Sequence, residues 1–485
     1  MAVTDKYNYY SGNIPVTITI EQDKNDFVML YKVSIVAISE NTEILLNKIK
    51  DELVLKAGIK IDDILDTKRS SYVKGKFKET VSYLLSKYLP DLGEKTKDFL
   101  TTYLMHKSLG LGKIELLLDD KNLEEIVVNN SSEPLWVYHH RYGWLKTNVS
   151  LENEDQIKHY AALIGRKVGR NITVLTPLLD AHLETGERIN ATLSPVSTKG
   201  NTLTLRKFNA KPITITNMLQ EKTISLPAAS LIWAGMEYEL SALVAGGTAT
   251  GKTVLLGALC SFFPPNQRII SVEDTRELVL PKYLHWVPMV TREPNVEGRG
   301  EITMLDLIVN SLRMRPDRIV VGEIRRQREA ETLFEAMHTG HSVYSTLHAN
   351  DTEETLNRLL NPPINIPKSS LPAISMLIIM YRNRRTGIRR IFQISEIKKD
   401  SSAKVLMQYD LRQDKIFTIN KSERLMPELQ VQTGFTPQEI NQDLREKSNI
   451  LSWLVKKNVD SVDDIGKVVA TYYTDKNKLF QFIKK

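Results

Sequence analysis

Cysteine is almost absent from this chain of 485 residues, and Cys260 is the single one. One cysteine excludes a disulfide within the chain and any zinc site built from several cysteines. Long hydrophobic runs are absent as well, because apolar stretches such as residues 371–381 are shorter than the ~20 residues of a membrane-spanning helix. Residues 1–16 lack a basic-then-apolar signal pattern, so the sequence predicts a cytoplasmic protein.

The composition is typical of a globular protein with more than one domain. Hydrophobic residues make up 42% of the chain and charged residues 25%, which are ordinary values for a folded protein. The length predicts two or three domains. The net charge of +7 is a weak indication of an anionic partner such as nucleic acid or lipid.

A glycine-rich segment, GGTATGKT at residues 246–253, fits the phosphate-loop pattern G-x-x-x-x-G-K-[ST]. The apolar residues 241–245 predict a buried strand before it, and residues 252–263 predict a helix after it. This arrangement presents backbone N–H groups and a helix dipole to a phosphate. We expect the lysine to reach the β- and γ-phosphates and the threonine hydroxyl to bind Mg²⁺. The predicted nucleotide-binding residues are Gly246, Gly247, Thr248, Ala249, Thr250, Gly251, Lys252 and Thr253.

Two further apolar strands end in acidic residues. Glu273 and Asp274 end the first, and Glu323 ends the second. The carboxyl ends of parallel strands lie beside a phosphate loop. A carboxylate there can hold Mg²⁺, partly through water, or orient the attacking water. Capping of the following helices is the alternative, but two acids on successive strands favour catalysis, with Glu323 also a candidate metal ligand. Which glutamate is the general base stays open.

Residues 341–351 predict a third strand, which carries His341 and His348. A histidine at a strand end can sense a γ-phosphate by hydrogen bonding, so we predict both as catalytic residues. A position in the protein core is a serious alternative for His341. A zinc site that also uses His338 is disfavoured, because the outer histidines fall on different elements and no cysteine assists.

Four segments occur in a distinctive order: GGTATGKT, SVEDTREL, RPDRIVVGEIR and HTGHSVYSTLHAND. They resemble the Walker A, Asp-box, Walker B and His-box motifs of the type II/type IV secretion ATPases. Residues 110–130 and 137–149 resemble the archaeal branch of that family, whose members power type IV pili or the archaellum. The resemblance covers about residues 110–400.

The resemblance implies an α/β fold, with a RecA-like P-loop NTPase C-terminal domain and a mixed α/β N-terminal domain joined by a flexible linker. It also implies a homohexamer that binds ATP and Mg²⁺ between the two domains of each subunit. The implied partners are a polytopic membrane platform protein and, indirectly, pilin or archaellin subunits. The implied location is cytoplasmic and peripheral, at the inner face of the cell membrane.

We divide the chain accordingly into five parts: an N-terminal α/β extension at 1–109, the second part of the N-terminal domain (PAS-like in the family) at 110–206, a linker at 207–225, the P-loop ATPase core at 226–400 and an appended region at 401–485. Apolar residues three and four apart predict helices in the extension, at 41–56 and 76–106. In the appended region, the first residues have a strand-like pattern and the later residues have helical patterns.

Arginines ahead of the linker complete the predicted site. Arg188 and Arg206 match arginines that the family directs at phosphate, and closure about the linker would carry them to the nucleotide. The rival candidates are Arg313, Arg315 and Arg325, which surround the Walker B strand.

The sequence therefore predicts a Mg²⁺-dependent ATPase that powers assembly of an archaeal type IV pilus-like surface filament. The alternatives are an archaellum motor, a nucleic-acid-translocating or DNA-uptake secretion ATPase, and a nucleotide-binding scaffold without turnover. The chain carries no helix-turn-helix, zinc-finger or RNA-binding signature, so we expect no stable nucleic-acid partner.

Overall fold

Two compact units make up the protein, Met1–Asn209 and Ala210–Lys485. The computed structural model describes residues 2–22, 26–56, 70–183, 186–207, 212–294 and 298–483. None of the helices in these ranges combines the length and the apolar content needed to cross a membrane.

The first unit is a mainly antiparallel sheet with helices. Its elements are β1 Ala2–Ser11, β2 Ile14–Gln22, β3 Leu30–Ile35, α1 Glu40–Lys56, α2 Ser70–Tyr88, α3 Glu94–Leu109, α4 Lys113–Leu118, β4 Leu123–Val128, β5 Trp136–His139, β6 Gly143–Thr147, α5 Glu154–Lys167, β7 Leu178–His182, β8 Arg188–Thr192 and β9 Thr202–Arg206. The nine strands have the order β1-β2-β3-β6-β5-β4-β9-β8-β7. Alternate residues of β2, from Ile14 to Ile20, are buried, and they share one hydrophobic core with Leu46 and Ile49 of α1.

The predicted boundary at 109/110 does not separate two folded parts, because strands from both sides join one sheet. β3 pairs in parallel with β6. The hydroxyls of Tyr7 and Tyr31 both donate to the carboxylate of Asp120, Tyr7 at 2.7 Å. The prediction of one helix over 76–106 is also wrong, because the structure has two helices there: α2 ends at Tyr88 and α3 begins at Glu94. Pro90 and Gly93 between them disfavour a continuous helix.

The second unit contains a sheet with a parallel half and an antiparallel half. Its elements are α6 Ile215–Gln220, α7 Leu226–Glu237, β10 Ala242–Gly246, α8 Lys252–Leu259, β11 Arg268–Glu273, β12 His285–Val290, α9 Met304–Ser311, β13 Arg318–Val321, α10 Gln327–His338, β14 Ser342–Leu347, α11 Thr352–Leu360, β15 Met376–Arg382, β16 Arg389–Ile397, β17 Ala403–Asp410, β18 Lys415–Thr418, α12 Leu425–Thr433, α13 Pro437–Lys456, α14 Val462–Thr474 and α15 Lys476–Ile483. Within the described residues of this unit, 3₁₀ helices lie at Cys260–Phe262, Leu312–Met314 and Lys368–Ala373.

The strand order is β12-β11-β13-β14-β10-β15-β16-β17-β18. The strands from β12 to β15 are parallel, and the strands that follow are antiparallel. β10, β13 and β14 are buried at every residue, because helices cover both faces of this sheet. The carboxyl ends of the parallel strands therefore meet at one edge, where a ligand can bind.

The stretch predicted as a flexible linker, 207–225, is partly helical. Residues 208–211 lie outside the described residues. Beyond them, a capping box of Thr214 and Asn217 starts α6, and Ile215 and Met218 are buried in the core of the second unit. The linker prediction is therefore wrong for α6, whose short apolar face is packed.

The region predicted as appended, 401–485, is part of the ATPase sheet. β16 and β17 pair directly across residue 400, with Gln393 opposite Gln408. Leu451 of α13 and Val469 of α14 share one core with Trp233 of α7. A domain boundary at 400 would cut this sheet and this core.

A buried ion cluster holds the last helices on α7. Lys447 of α13 is 0% exposed, and its Nζ lies 2.7 Å from the carboxylate of Glu237 and also bonds Asp443. Tyr472 of α14 donates to Asp443 at 2.6 Å. Burial raises the pKa of Glu237, and the Lys447 ammonium opposes this. Because an unpaired buried charge is costly, each charge here depends on its partners.

Candidate nucleotide site

The loop between β10 and α8 is shaped by glycines that cannot carry a side chain. A Cβ on Gly247 would lie 2.8 Å from Oδ1 of Asn350, and one on Gly246 would lie 2.8 Å from the carbonyl oxygen of Met380. Gly251 has φ +91°, in the left-handed region, which glycine adopts without steric cost. Strand, tight turn and helix N-terminus thus follow each other as a phosphate cradle requires.

Lys252, the first residue of α8, lies over this loop. Its Nζ donates to the carbonyl oxygen of Gly247 at 3.1 Å and lies 3.3 Å from Nδ1 of His348. The side chain is only 8% exposed. Burial lowers the pKa of Lys252, while the carboxylates of Glu323 and Glu277 raise it. The ammonium has no carboxylate in direct contact among the described residues, so it is free to bind an anion such as phosphate.

An unbroken chain of polar contacts runs from Lys252 along the strand ends. Nε2 of His348 lies 2.9 Å from the Glu323 carboxylate, which also accepts from Nε of Arg325 at 2.8 Å. Arg325 then contacts Asp274 at 2.5 Å. Glu323 and Arg325 follow β13 and His348 follows β14, so the parallel register brings them to the phosphate-loop edge. The sequence analysis named each of these residues, but it did not predict their contacts with one another.

His348 lies between a cation and an anion. Burial and the Lys252 charge lower the pKa of His348, and Glu323 acts in the opposite direction. A neutral ring fits both contacts, because Nδ1 can accept from Lys252 while Nε2–H donates to Glu323. The ring can therefore transmit a change at the phosphate loop to the acidic residue.

Glu273 has a different setting from Glu323. It is 1% exposed, and its Oε1 accepts from the backbone N–H groups of Glu277 and Leu278 at 2.9 and 3.0 Å. Burial raises the pKa of Glu273 to about 7. Glu277, which the sequence analysis did not select, is exposed and is the acid of this segment that interacts electrostatically with Lys252. Glu273 thus holds the turn that carries Glu277, and its predicted catalytic role stays a prediction.

The structure does not bring His341 to this edge. It precedes β14, while His348 follows it, and a strand of that length separates the two by roughly 20 Å. Nδ1 of His341 contacts the carbonyl oxygen of Ala336 at 3.2 Å. Its prediction as a catalytic residue is therefore wrong for the phosphate loop of its own chain. No group of three His, Cys, Asp or Glu side chains that could hold a metal ion occurs in the described ranges.

The predicted arginines separate into three groups. Arg188 and Arg206 lie directly opposite each other on β8 and β9, and Arg188 pairs with Asp180 at 3.0 Å. Arg206 in turn lies opposite Glu125 of β4, whose carboxylate interacts with it electrostatically. Arg313 and Arg315 precede β13, at the amino end of the strand.

Arg325, the third rival candidate, follows β13 and therefore lies at the carboxyl end of that strand, beside the phosphate loop.

Three residues that contact the loop or His348 were missed by the sequence analysis. Nε of Arg389 donates to the carbonyl oxygen of Ala249 at 3.2 Å, Asn350 lies against Gly247, and Arg358 donates to the carbonyl oxygen of His348. Arg389 lies on β16, about 140 residues further along the chain, and no local spacing reveals its position. Asn350 belongs to the His-box segment and could have been found there.

Comparison with known proteins identifies the family. The sequence profile described as "Type II/IV secretion system protein" matches residues 107–382, more than half of the chain. The chain belongs to this family. The matched residues belong to both units, and they include every residue in the series of polar contacts that links Lys252 to Asp274.

Individual relatives of this secretion-family chain come from archaea and bacteria. The uncharacterized protein MJ0900 of Methanocaldococcus jannaschii is 33% identical over 384 residues, which are 76% of this chain and 69% of the relative. The type IV secretion system protein PtlH of Bordetella pertussis is 29% identical over 307 residues, 56% of this chain and 89% of the relative. Among solved structures, the ATPase DotB of Legionella pneumophila is 18% identical with a TM-score of 0.44, covering 74% and 94% of the two chains.

Proposed function

We propose that this protein is a Mg²⁺-dependent ATPase that powers assembly of an archaeal type IV pilus-like surface filament. One observation supports the ATPase activity above all. The series of side-chain contacts Lys252–His348–Glu323–Arg325 links a buried ammonium over a phosphate loop to a carboxylate at the neighbouring strand end.

The residues of the loop fit ATP and Mg²⁺. Gly247 leaves room that a Cβ would fill, and the Lys252 ammonium contacts a loop carbonyl that a phosphate oxygen can replace. Mg²⁺ binds few protein ligands and completes its coordination with water and phosphate oxygens. Thr253 and Glu323 would supply that small set. When bound, Mg·ATP supplies the γ-phosphoryl group and the metal charge.

The chain's own residues would act as follows. Lys252 neutralises the β- and γ-phosphates, and the N–H groups of the loop orient them. Glu323 holds the metal hydration shell or accepts the proton of the attacking water. Arg325 and His348 fix its two oxygens in place. Arg188 and Arg206 would cover the opposite side of the γ-phosphoryl group when the first unit closes over the nucleotide.

The filament role rests on residues 110–130 and 137–149, which resemble the archaeal branch of the family; the relative MJ0900 is also archaeal. In this role the protein is a homohexamer at the inner face of the membrane. Its partner is a polytopic platform protein, and pilin or archaellin subunits are moved indirectly. An archaellum motor uses the same parts and is distinguished by the filament protein it serves.

A secretion ATPase that translocates nucleic acid or protein is the second candidate, favoured by the similarity to PtlH. Phosphate release from Mg·ATP by the purified full chain tests the ATPase proposal, with EDTA as the control. No release above the EDTA level would reject turnover. Stimulation by single-stranded DNA that disappears steeply with added salt would favour the second candidate over filament assembly.

A further inference from the structure

A cavity of about 510 Å³ lies in the second unit away from the phosphate loop. It is bounded by the turn between α6 and α7, the β17–β18 hairpin, the start of β16 and the C-terminal turn of α13. No residue of 246–253 lines it. Its volume is within the range of roughly 300–1,000 Å³ that small-molecule sites occupy.

The walls of this cavity, named here the α13 cavity, combine an apolar surface with positive charge. Four cationic side chains and one carboxylate line it. The carboxylate, Asp414, is already used, because Arg390 binds it through Nε and Nη2 at 2.7 and 2.9 Å and Tyr409 donates to it at 2.8 Å. The apolar part is formed by Leu219, Ile224, Leu226, Ile391, Ile416 and Val455.

The three other cations, Lys222, Lys415 and Lys456, form the exposed rim. Within the described part of the chain, none of them has a carboxylate at salt-bridge distance. Arg390, in contrast, is buried and held by Asp414, so it fixes the wall while the lysines remain available. Such a surface attracts an anion, and its apolar floor favours one that carries a flat hydrophobic body.

The α13 cavity and the phosphate loop share one strand. Arg389 and Arg390 are consecutive on β16, and successive side chains of a strand point to opposite faces. Arg389 donates to Ala249 of the phosphate loop, while Arg390 lines the cavity. The N–H of Ile391 donates to the carbonyl oxygen of Thr223, in the cavity wall, at 2.8 Å. A ligand that shifts this wall therefore acts on the backbone that positions Arg389.

We propose that the α13 cavity binds a nucleotide-sized organic anion, with its ring system on the apolar floor and its phosphate among the three lysines. Through β16, the bound anion orders the phosphate loop. The ligand is an effector that is separate from the nucleotide held at Lys252, and α13 supplies part of its site. The region after residue 400 thereby gains a regulatory role.

The binding test uses 1-anilinonaphthalene-8-sulfonate, which has an aromatic body and one negative charge but no phosphate chain for the loop. Fluorescence titration of the full chain should give a saturable site. Lys415→Glu and Lys456→Glu should each weaken it about tenfold, because a reversed charge repels the sulfonate. Lys457→Glu is the matched control, since Lys457 is exposed at the same helix end and does not line the cavity. Equal affinity in all four proteins would overturn the site.

Two further arms test the chemistry and the coupling. 1-Naphthyl phosphate should displace the probe, whereas uncharged 1-naphthol at the same concentration should not, and equal displacement would overturn the choice of an anion. Amide hydrogen exchange of residues 247–253 should slow when the probe is bound to the wild type, and not in Lys456→Glu. Unchanged exchange in the wild type would overturn the coupling through β16. None of these readouts depends on ATP turnover, so failure here is distinct from failure of the ATPase proposal.

Discussion

Glu323→Gln changes one charge while keeping the shape of a residue that has two partners. The carboxylate binds His348 at 2.9 Å and Arg325 at 2.8 Å. An amide keeps one acceptor oxygen, but its NH₂ group must then face a donor on the other side. One of the two contacts is therefore lost, and a hydrogen bond to a charged group contributes about 1.5–3 kcal/mol.

The expected catalytic effect is larger than the loss of one contact. If Glu323 accepts a proton or holds the metal shell, its removal should lower turnover about 10²–10⁴-fold. Binding of Mg·ADP should change little, because Lys252 and the loop remain. The assay is phosphate release together with a calorimetric nucleotide titration on the same preparation. Glu335→Gln, on the exposed face of α10, is the matched control.

Wild-type turnover in Glu323→Gln would refute the assignment, and equal loss in Glu335→Gln would show that the effect is not specific to this carboxylate. Loss of nucleotide binding together with turnover would refute the separation between the loop and the acid.

The remaining predictions concern binding, closure, pH and stability. Lys252→Ala should abolish turnover and weaken Mg·ADP binding in calorimetry, and near wild-type activity would remove the nucleotide site from this loop. Arg188→Ala and Arg206→Ala should each lose turnover, by up to ~10³–10⁵-fold if they act as arginine fingers, yet keep nucleotide affinity; lysine at these positions should restore little, and unchanged turnover in both would return the role to other arginines. Burial raises the pKa of Glu273 to about 7, so ionisation of this carboxyl destabilises the folded state relative to the unfolded state. The stability that protonated Glu273 contributes is therefore present at low pH, and it is lost as the pH rises from the pKa of the unfolded state towards 7. Glu273→Gln should therefore gain stability relative to wild type between pH 5 and 8 in urea unfolding, and a pH-independent difference would contradict this. Lys447→Met should leave the carboxylates of Asp443 and Glu237 without this cation and lower the free energy of unfolding by about 3–5 kcal/mol, whereas an unchanged urea midpoint would mean that the cluster does not hold the last helices.

The phosphate-loop edge could be predicted because its signals are local. A strand, a glycine-rich turn and a helix follow one another within 241–263, and acidic or histidine residues stand at the ends of the strands that the sequence predicts before Glu273, Glu323 and His348. Parallel pairing then brings those ends together. Glu323, Arg325 and His348 were found in this way, since a strand end is visible in the sequence.

What could not be predicted depends on contacts between distant segments. Arg389 reaches the loop because β16 pairs with β15, and nothing in its own neighbourhood indicates this. His341 was misplaced because a histidine before a strand and one after it look alike in a short motif. The α6 helix was read as linker because its six residues span less than two helical turns, which is too short for a helical periodicity to be recognised.

The pairing of β16 with β17 across residue 400 also determines how a mechanical load would travel. A pull on α13 or α14 is resisted by a packed core and by the Lys447 cluster. The load then passes through the hydrogen-bonded ladder from β17 to β15, which lies next to β10 and its phosphate loop. A flexible tether would extend before it transmitted such a load, whereas a continuous sheet is stiff and would transmit the load from the end of the chain to the bound nucleotide.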